Sequence, residues 1–280
     1  MKPLEKPFDA ARRPGFPLRM PTTANATGAT KVVAGNAREM GAKGLKHTLK
    51  ELQKPYSAAA AGAAGLGLDS QAVRTRMVQK LEAQGVTDSR VLAAMGLIER
   101  HRFVDSALVN QAYEDTSLPI GLGQTISKPN VVARMLELLV KTSDGKLGRV
   151  LEIGTGCGYQ AALLAQLATE VYSIERLRGL HDRARYNLRP LRVANLHLLF
   201  GDGMAGYAKG APYAAIIAAA GGEALPQAWL DQLAVGGRLV APVQGANGAQ
   251  ALVLVNKTAR GITQTLLEAV HFVPLKSGTS

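Results

Sequence analysis

Two textures divide the chain. Up to about residue 70 the apolar residues show no sustained period. They fall among Pro3, Pro7, Pro14, Pro17, Pro21 and Pro55, and the stretch ends in the run SAAAAGAAGLGL. That pattern predicts a disordered leader with an Ala/Gly linker over 1–70, carrying a short helix within 36–53. From residue 71 periodicity begins. Val73, Met77 and Leu81 share one helical face, which Gly85 ends. A second helix is expected from Thr87 or Asp88 as cap, with Val91, Leu92, Met95 and Ile98 apolar. The segment AYEDTSLPIGLGQTISK is turn-rich. A third helix follows from near Pro129, carrying Val132, Met135, Leu136 and Leu139.

Beyond residue 146 the period alternates between strand and helix. VLEI reads as a buried strand and QAALLAQLA as a helix. EVYSIE is a strand, RGLHDRARYNLRPL a helix, and LHLLFGDG and YAAIIAAAG are strands. PQAWLDQL is a short helix and GGRLVAPVQ a strand, and QALVLVNK with TQTLLEAVHFVPL forms an antiparallel pair. Such alternation predicts an α/β fold with a doubly wound, mostly parallel sheet and an antiparallel edge. One domain is expected over 71–280, with a helical part at 71–140 and an α/β core at 147–280.

Charge changes the picture little. The formal net charge is +12, and residues 1–70, with 11 Lys/Arg against 5 Asp/Glu, carry half of it. A basic chain raises the question of nucleic acid or acidic membranes, but the charge is scattered and few aromatics interleave with it. A soluble protein with a basic tail is expected, with no nucleic-acid partner. The lone cysteine, Cys157, excludes a disulfide within the chain and fits a reducing compartment. No segment is long and apolar enough to span a membrane. The first residues lack a secretory apolar region, and Glu5, Asp9, Glu39 and Glu51 count against an organellar transit peptide. A cytoplasmic monomer is expected.

The chemistry concentrates in VLEIGTGCGYQ, where Gly154, Gly156 and Gly158 sit between a strand and a helix. Missing Cβ atoms allow positive φ and let backbone N–H groups approach a ligand closely. A dinucleotide fingerprint needs its third glycine one residue later, where Tyr159 stands, and a phosphate loop needs a terminal Gly-Lys-Ser/Thr. The spacing E-x-G-x-G-x-G matches instead the first motif of S-adenosylmethionine-dependent methyltransferases. Glu175 ends the next strand, 21 residues after Gly154, where an acid is placed to accept from ribose hydroxyls. Asp202 and Gly203 follow the third strand, where the acid either accepts from the adenine amino group or makes a turn. Glu152 either positions the ammonium end of the cofactor or caps the turn.

Residues 75–275 resemble the protein-L-isoaspartate O-methyltransferase family. The run LPIGLGQTISKP (118–129) is close to diagnostic, and LEIGTGCGYQAALLA, SIER, GDGMAGY, APYAAII and LDQLAVGGRLVAPV follow in the family's order. Ala214 replaces a common Asp, Glu99 a usual proline, and residues 1–70 have no counterpart in the short members. The resemblance implies a Rossmann-like methyltransferase sheet, S-adenosylmethionine as cofactor, and methylation of the free α-carboxylate of L-isoaspartyl residues in age-damaged proteins and peptides. The methyl ester then closes to a succinimide, which starts repair. Ser127 matches the family's active-site serine. Its hydroxyl would orient the substrate carboxylate, although Ser two residues before Pro129 is also a good helix N-cap. Gln124, Thr125 and Ile126 shape the same loop. A carboxylate acceptor is already ionised at neutral pH, so no general base is needed. Cys157 therefore reads as a loop filler, and His101, His181 and His197 as ordinary packing or surface residues. Two other functions stay open: methyl transfer to another acceptor, though no N-P-P-Y motif of amino-methylating enzymes is present, and a non-catalytic isoaspartyl-binding adaptor.

Overall fold

The computed structural model describes residues 71–245 and 248–280. The leader, the linker and the helix expected within 36–53 lie outside the described residues. Helices α1 (Gln71–Ala83) and α2 (Ser89–Leu97) open the described fold. A hairpin of β1 (Leu118–Gly121) and β2 (Gln124–Ile126) follows, then α3 (Pro129–Val140). The core runs β3 (Leu147–Ile153), α4 (Tyr159–Leu167), β4 (Ala168–Glu175), α5 (Arg178–Leu188), β5 (Leu196–Phe200), β6 (Tyr213–Ala218), α6 (Gln227–Gln232), β7 (Leu233–Gln244), β8 (Gln250–Thr258) and β9 (Gly261–Val270).

The seven-stranded sheet has the order β5-β4-β3-β6-β7-β8-β9. Neighbours from β5 to β7 run parallel, and β7–β8 and β8–β9 run antiparallel. The unbroken apolar runs of the central strands follow from burial on both faces. Val150, Ile217 and Val240 face the core shared with α1 to α5, while Leu151, Ile216 and Leu239 face the core around Trp229.

The third helix buries nine of its twelve residues, so truncating fully buried Met135 or Leu136 to Ala is expected to cost ~2–5 kcal/mol. One of the nine is Glu137. Its carboxylate accepts from the N–H groups of Thr87 (2.6 Å) and Asp88 (2.9 Å) and from the Thr87 hydroxyl (3.1 Å), and Arg134 pairs with it at 3.3 Å. Burial pushes this carboxyl's pKa up, but those donors outweigh burial and hold it below the usual carboxylate value. Asp88 in turn caps α2, accepting from Arg90 and Val91 N–H.

The sequence expectation is met for the sheet and misses a small hairpin before α3 and several short helical turns. The turn-rich segment contains the β1–β2 hairpin, with Gly121, Leu122 and Gly123 at its tip all at positive φ. After β9 the chain returns across the sheet. Gly221 N–H donates to the Val273 carbonyl (2.9 Å), and Leu275 N–H donates to the Gly221 carbonyl (2.8 Å).

Candidate active site

A cavity of 270 Å3 opens at the carboxyl ends of β3, β4 and β6, the crevice position that doubly wound sheets use for ligands. Gly154 and Gly156, Glu175, Leu177, Gly203 and Ala219 line it on the sheet side. Ile120, Leu122, Gln124 and Thr125 of the hairpin lie against it, and Val273 to Lys276 close another wall.

The glycine turn takes the expected positive φ at Gly154, Gly156 and Gly158. Its N–H groups already have partners: Gly154 and Thr155 donate to the Ile174 carbonyl (2.9 and 3.2 Å), and Gly156 donates to Glu175 Oε2 (2.9 Å). Bare backbone is needed here for φ and for space. At Gly156, with φ +58, a Cβ would sit 3.2 Å from Ile120 Cδ1. Gly158 serves packing. It occupies the N-cap of α4 in the left-handed region, and a Cβ there would meet Leu188 Cδ1 at 2.8 Å. It is absent from the cavity wall, which of the motif's glycines includes Gly154 and Gly156.

Glu175 is 4% exposed, and its Oε1 accepts from Leu177 N–H (2.9 Å). One carboxylate thus fixes both sides of the cavity floor and still has lone pairs free for further donors, since a carboxylate offers about four acceptor sites. Glu152 is fully buried and stands behind the wall. The Ser173 hydroxyl donates to its Oε2 (2.5 Å), and Thr155 and Ser173 share a hydrogen bond of 2.6 Å. Oε1 of Glu152 has no partner among the described residues. Burial, with a smaller push from the Glu175 charge, raises its pKa to about 8. The acid is therefore protonated at neutral pH without a cation beside it.

Asp202 lies next to the wall residue Gly203. It accepts from Met204 N–H (2.8 Å) and Gly278 N–H (2.7 Å), so the main chain engages both its oxygens. Among the loop residues, Gln124 and Thr125 reach the cavity, whereas Ile126 packs into the core at 5% exposure. Ser127 is half-buried just beyond, outside the cavity wall. The N-cap position of α3 belongs to Lys128, which makes no side-chain cap. Asp115 Oδ1 accepts the Asn130 N–H (2.9 Å) instead.

None of the groups read as bystanders lines the cavity. Cys157 is buried, and burial raises its thiol pKa, which opposes nucleophile chemistry. His101 bonds Tyr113 (2.6 Å), His197 bonds Glu170 (3.0 Å), and His181 packs on Phe200. Sequence reasoning missed two supports of the hairpin. Arg183 of α5 donates to the Ile120 carbonyl (2.6 Å), and Arg100 donates to the Ser127 carbonyl (2.7 Å). It also missed the 273–276 wall, which only the return across the sheet brings there.

Comparison with known proteins covers the same region. Residues 72–280 match the family described as protein-L-isoaspartate(D-aspartate) O-methyltransferase. A protein-L-isoaspartate O-methyltransferase of Methylibium petroleiphilum is 64% identical over 219 residues, 77% of this chain and 81% of that protein. One from Burkholderia vietnamiensis is 50% identical over 279 residues, 99% of this chain and 86% of the other, so that alignment includes the leader. A solved structure titled protein-L-isoaspartate O-methyltransferase superposes with a TM-score of 0.66 at 28% identity, covering 73% of this chain and 66% of that one. A second, from Plasmodium falciparum and solved in complex with S-adenosyl-L-homocysteine, shares the fold with a TM-score of 0.64 at 24% identity, over 72% of this chain and 98% of its own. The chain belongs to the protein-L-isoaspartate O-methyltransferase family.

Proposed function

We propose that the chain methylates the free α-carboxylate of L-isoaspartyl residues in damaged proteins and peptides, with S-adenosylmethionine as methyl donor. The observation that carries this is the match over 72–280 to one family, together with a cavity walled by the motif residues on one side and the 118–129 hairpin on the other.

The cavity suits the cofactor on its own chemistry. Gly154 and Gly156 leave bare backbone along it, Glu175 offers acceptor capacity at its edge, and the orphaned Glu152 Oε1 lies behind it. Gly154, Gly156, Glu175 and Gly203 would hold the cofactor. Asp202 supports that wall through Gly203 and Gly278, and Glu152, giving up its proton once a cation stands near, would answer a cationic amino group through the buried Ser173–Thr155 chain. When bound, the cofactor supplies an electrophilic methyl on a positively charged sulfur.

The protein's own part is placement. Gln124 and Thr125 would present the acceptor peptide to the cavity, and the Ser127 hydroxyl would donate to the acceptor carboxylate and fix its orientation. In-line alignment of this kind supplies most of the acceleration when both reactants are already charged. Buried Leu118, Ile120 and Ile126 keep the hairpin seated and exclude water beside it.

The protein acts as a monomer, in the cytoplasm and without nucleic acid. Among the described residues no helix is long and apolar enough to cross a membrane. The deciding experiment is a methyl-transfer assay on two peptides that differ only in Asp against isoAsp. Methylation confined to the isoaspartyl peptide supports the function. Equal reaction of both, or of neither, removes it.

A further inference from the structure

Arg100 is a fully buried guanidinium. It stands in the helical turn Arg100–Phe103, in the connection from α2 to the hairpin. Its Nε donates to the Ala112 carbonyl (2.8 Å), and its Nη2 to the carbonyls of Ser127 (2.7 Å) and Thr116 (3.4 Å). Its Cζ lies 4.9 Å from the centre of the Tyr159 ring. Nη1 has no hydrogen-bond partner among the described residues, and the guanidinium makes no ion pair there, the charge of Asp115 acting on it only from farther away. Burial lowers its pKa, yet arginine keeps its proton at any working pH.

A buried charge without a counter-ion is costly. Tying three carbonyls together would not require a cation, since neutral donors satisfy carbonyls as well. What the charge adds is a field. In a poorly polarisable interior a charge acts strongly over several ångströms. The three carbonyls belong to the two ends of the segment that carries the hairpin, so the charge sits directly behind Ser127. The acceptor group in the proposed reaction is an anion.

We infer that Arg100 is a positioning and selectivity residue: its guanidinium fork fixes the main chain of Ser127, and its positive charge, which no carboxylate pairs directly, favours an anionic acceptor at that loop. The inference rests on the isoaspartyl reading above.

The test uses the full chain as wild type, Arg100→Met and Arg100→Lys. An isoaspartyl peptide is the methyl acceptor, and the same peptide with its α-carboxylate converted to an amide is the competitor. Arg100→Met should raise the peptide KM roughly tenfold or more, the scale of a lost charge-assisted contact. It should shrink the preference for carboxylate over amide by a similar factor, with S-adenosylmethionine affinity by calorimetry unchanged. Arg100→Lys keeps the charge and loses the fork, so it should retain the preference but lower kcat about tenfold. An unchanged preference in Arg100→Met overturns the selectivity role. Full turnover in Arg100→Lys overturns the positioning role. If Arg100→Met fails to fold, loss of the preference in Arg100→Lys overturns the inference and its retention supports it. A wild-type protein that leaves the isoaspartyl peptide unmethylated overturns the functional reading itself and this inference with it.

Discussion

Asp115 accepts the backbone N–H of Asn130 at 2.9 Å and so caps α3 from the far end of the hairpin segment. The residue that sequence spacing offers for that duty, Ser127, is relieved of it, and its hydroxyl is unbonded among the described residues. The two roles separate experimentally. Asp115→Ala should destabilise the protein by ~1 kcal/mol, the usual worth of a cap. Ser127→Ala should leave the melting temperature almost unmoved and lower isoaspartyl methylation by roughly one to three decades, the range seen when a positioning donor is removed. Thermal melts beside steady-state kinetics decide it, and a Ser127→Ala protein that melts early with turnover intact reverses the assignment.

Glu175 holds Gly156 and Leu177 by one oxygen each. Glu175→Ala therefore removes the acid proposed to hold the cofactor and two props of the floor together. Loss of S-adenosylmethionine affinity should be about 1–3 kcal/mol, as expected for a charged acceptor. Glu175→Gln, which keeps one acceptor oxygen, should lose less. Calorimetry on both variants gives the comparison, and unchanged affinity in the alanine variant takes Glu175 out of the site.

The buried acid behind the cavity predicts a pH effect of definite sign. With its folded pKa raised to about 8 from an ordinary 4.5, the folded state holds a proton that the unfolded chain has released. Stability then falls as pH rises between those values. Glu152→Gln cannot titrate, so its melting temperature relative to wild type should climb from about pH 5 to about pH 8 and level off above. Parallel melts across that range check it. A flat difference means that Glu152 is already ionised in the folded protein.

Glu137 gives the opposite sign. Its pKa is depressed by the donors around it, so its contribution is present above the ordinary carboxylate pKa and is lost as pH falls through the lowered folded value. Glu137→Gln should cost stability at neutral pH, by roughly 1–3 kcal/mol for weakened charged hydrogen bonds, and progressively less in acid. Chemical denaturation at neutral and acidic pH measures both ends.

The sheet was legible because its signal is local. Val150 and Leu151, or Val240 and Leu239, are apolar on both faces of a strand, and Gly154 to Gly158 punctuate strand and helix within a few residues. Glu175 was legible for the same reason, as a strand end at a fixed distance from the turn. The hairpin was not, since Pro119, Gly121 and Gly123 mask the strand pattern of two very short strands, and pairing of Leu118 with Ile126 creates them. Nor could composition separate Gly158, which makes room for Leu188, from Gly154 and Gly156, which face the cavity. Arg100 looks like any basic residue beside a histidine. Only the fold brings the carbonyls of residues 112, 116 and 127 around it.

The wall built from Val273 to Lys276 makes the cavity a closure between distant parts of the chain. That segment is held by two bonds to Gly221, and further along by Gly278 on Asp202. Whatever occupies the cavity is thus clasped by residues that reach it only after β9 is in place. Ligand binding and docking of this last segment become one linked equilibrium, so occupancy of the cavity stabilises the segment by mass action. Amide exchange at Gly221, Leu275 and Gly278 should slow together when S-adenosylmethionine is added, as a single cooperative unit.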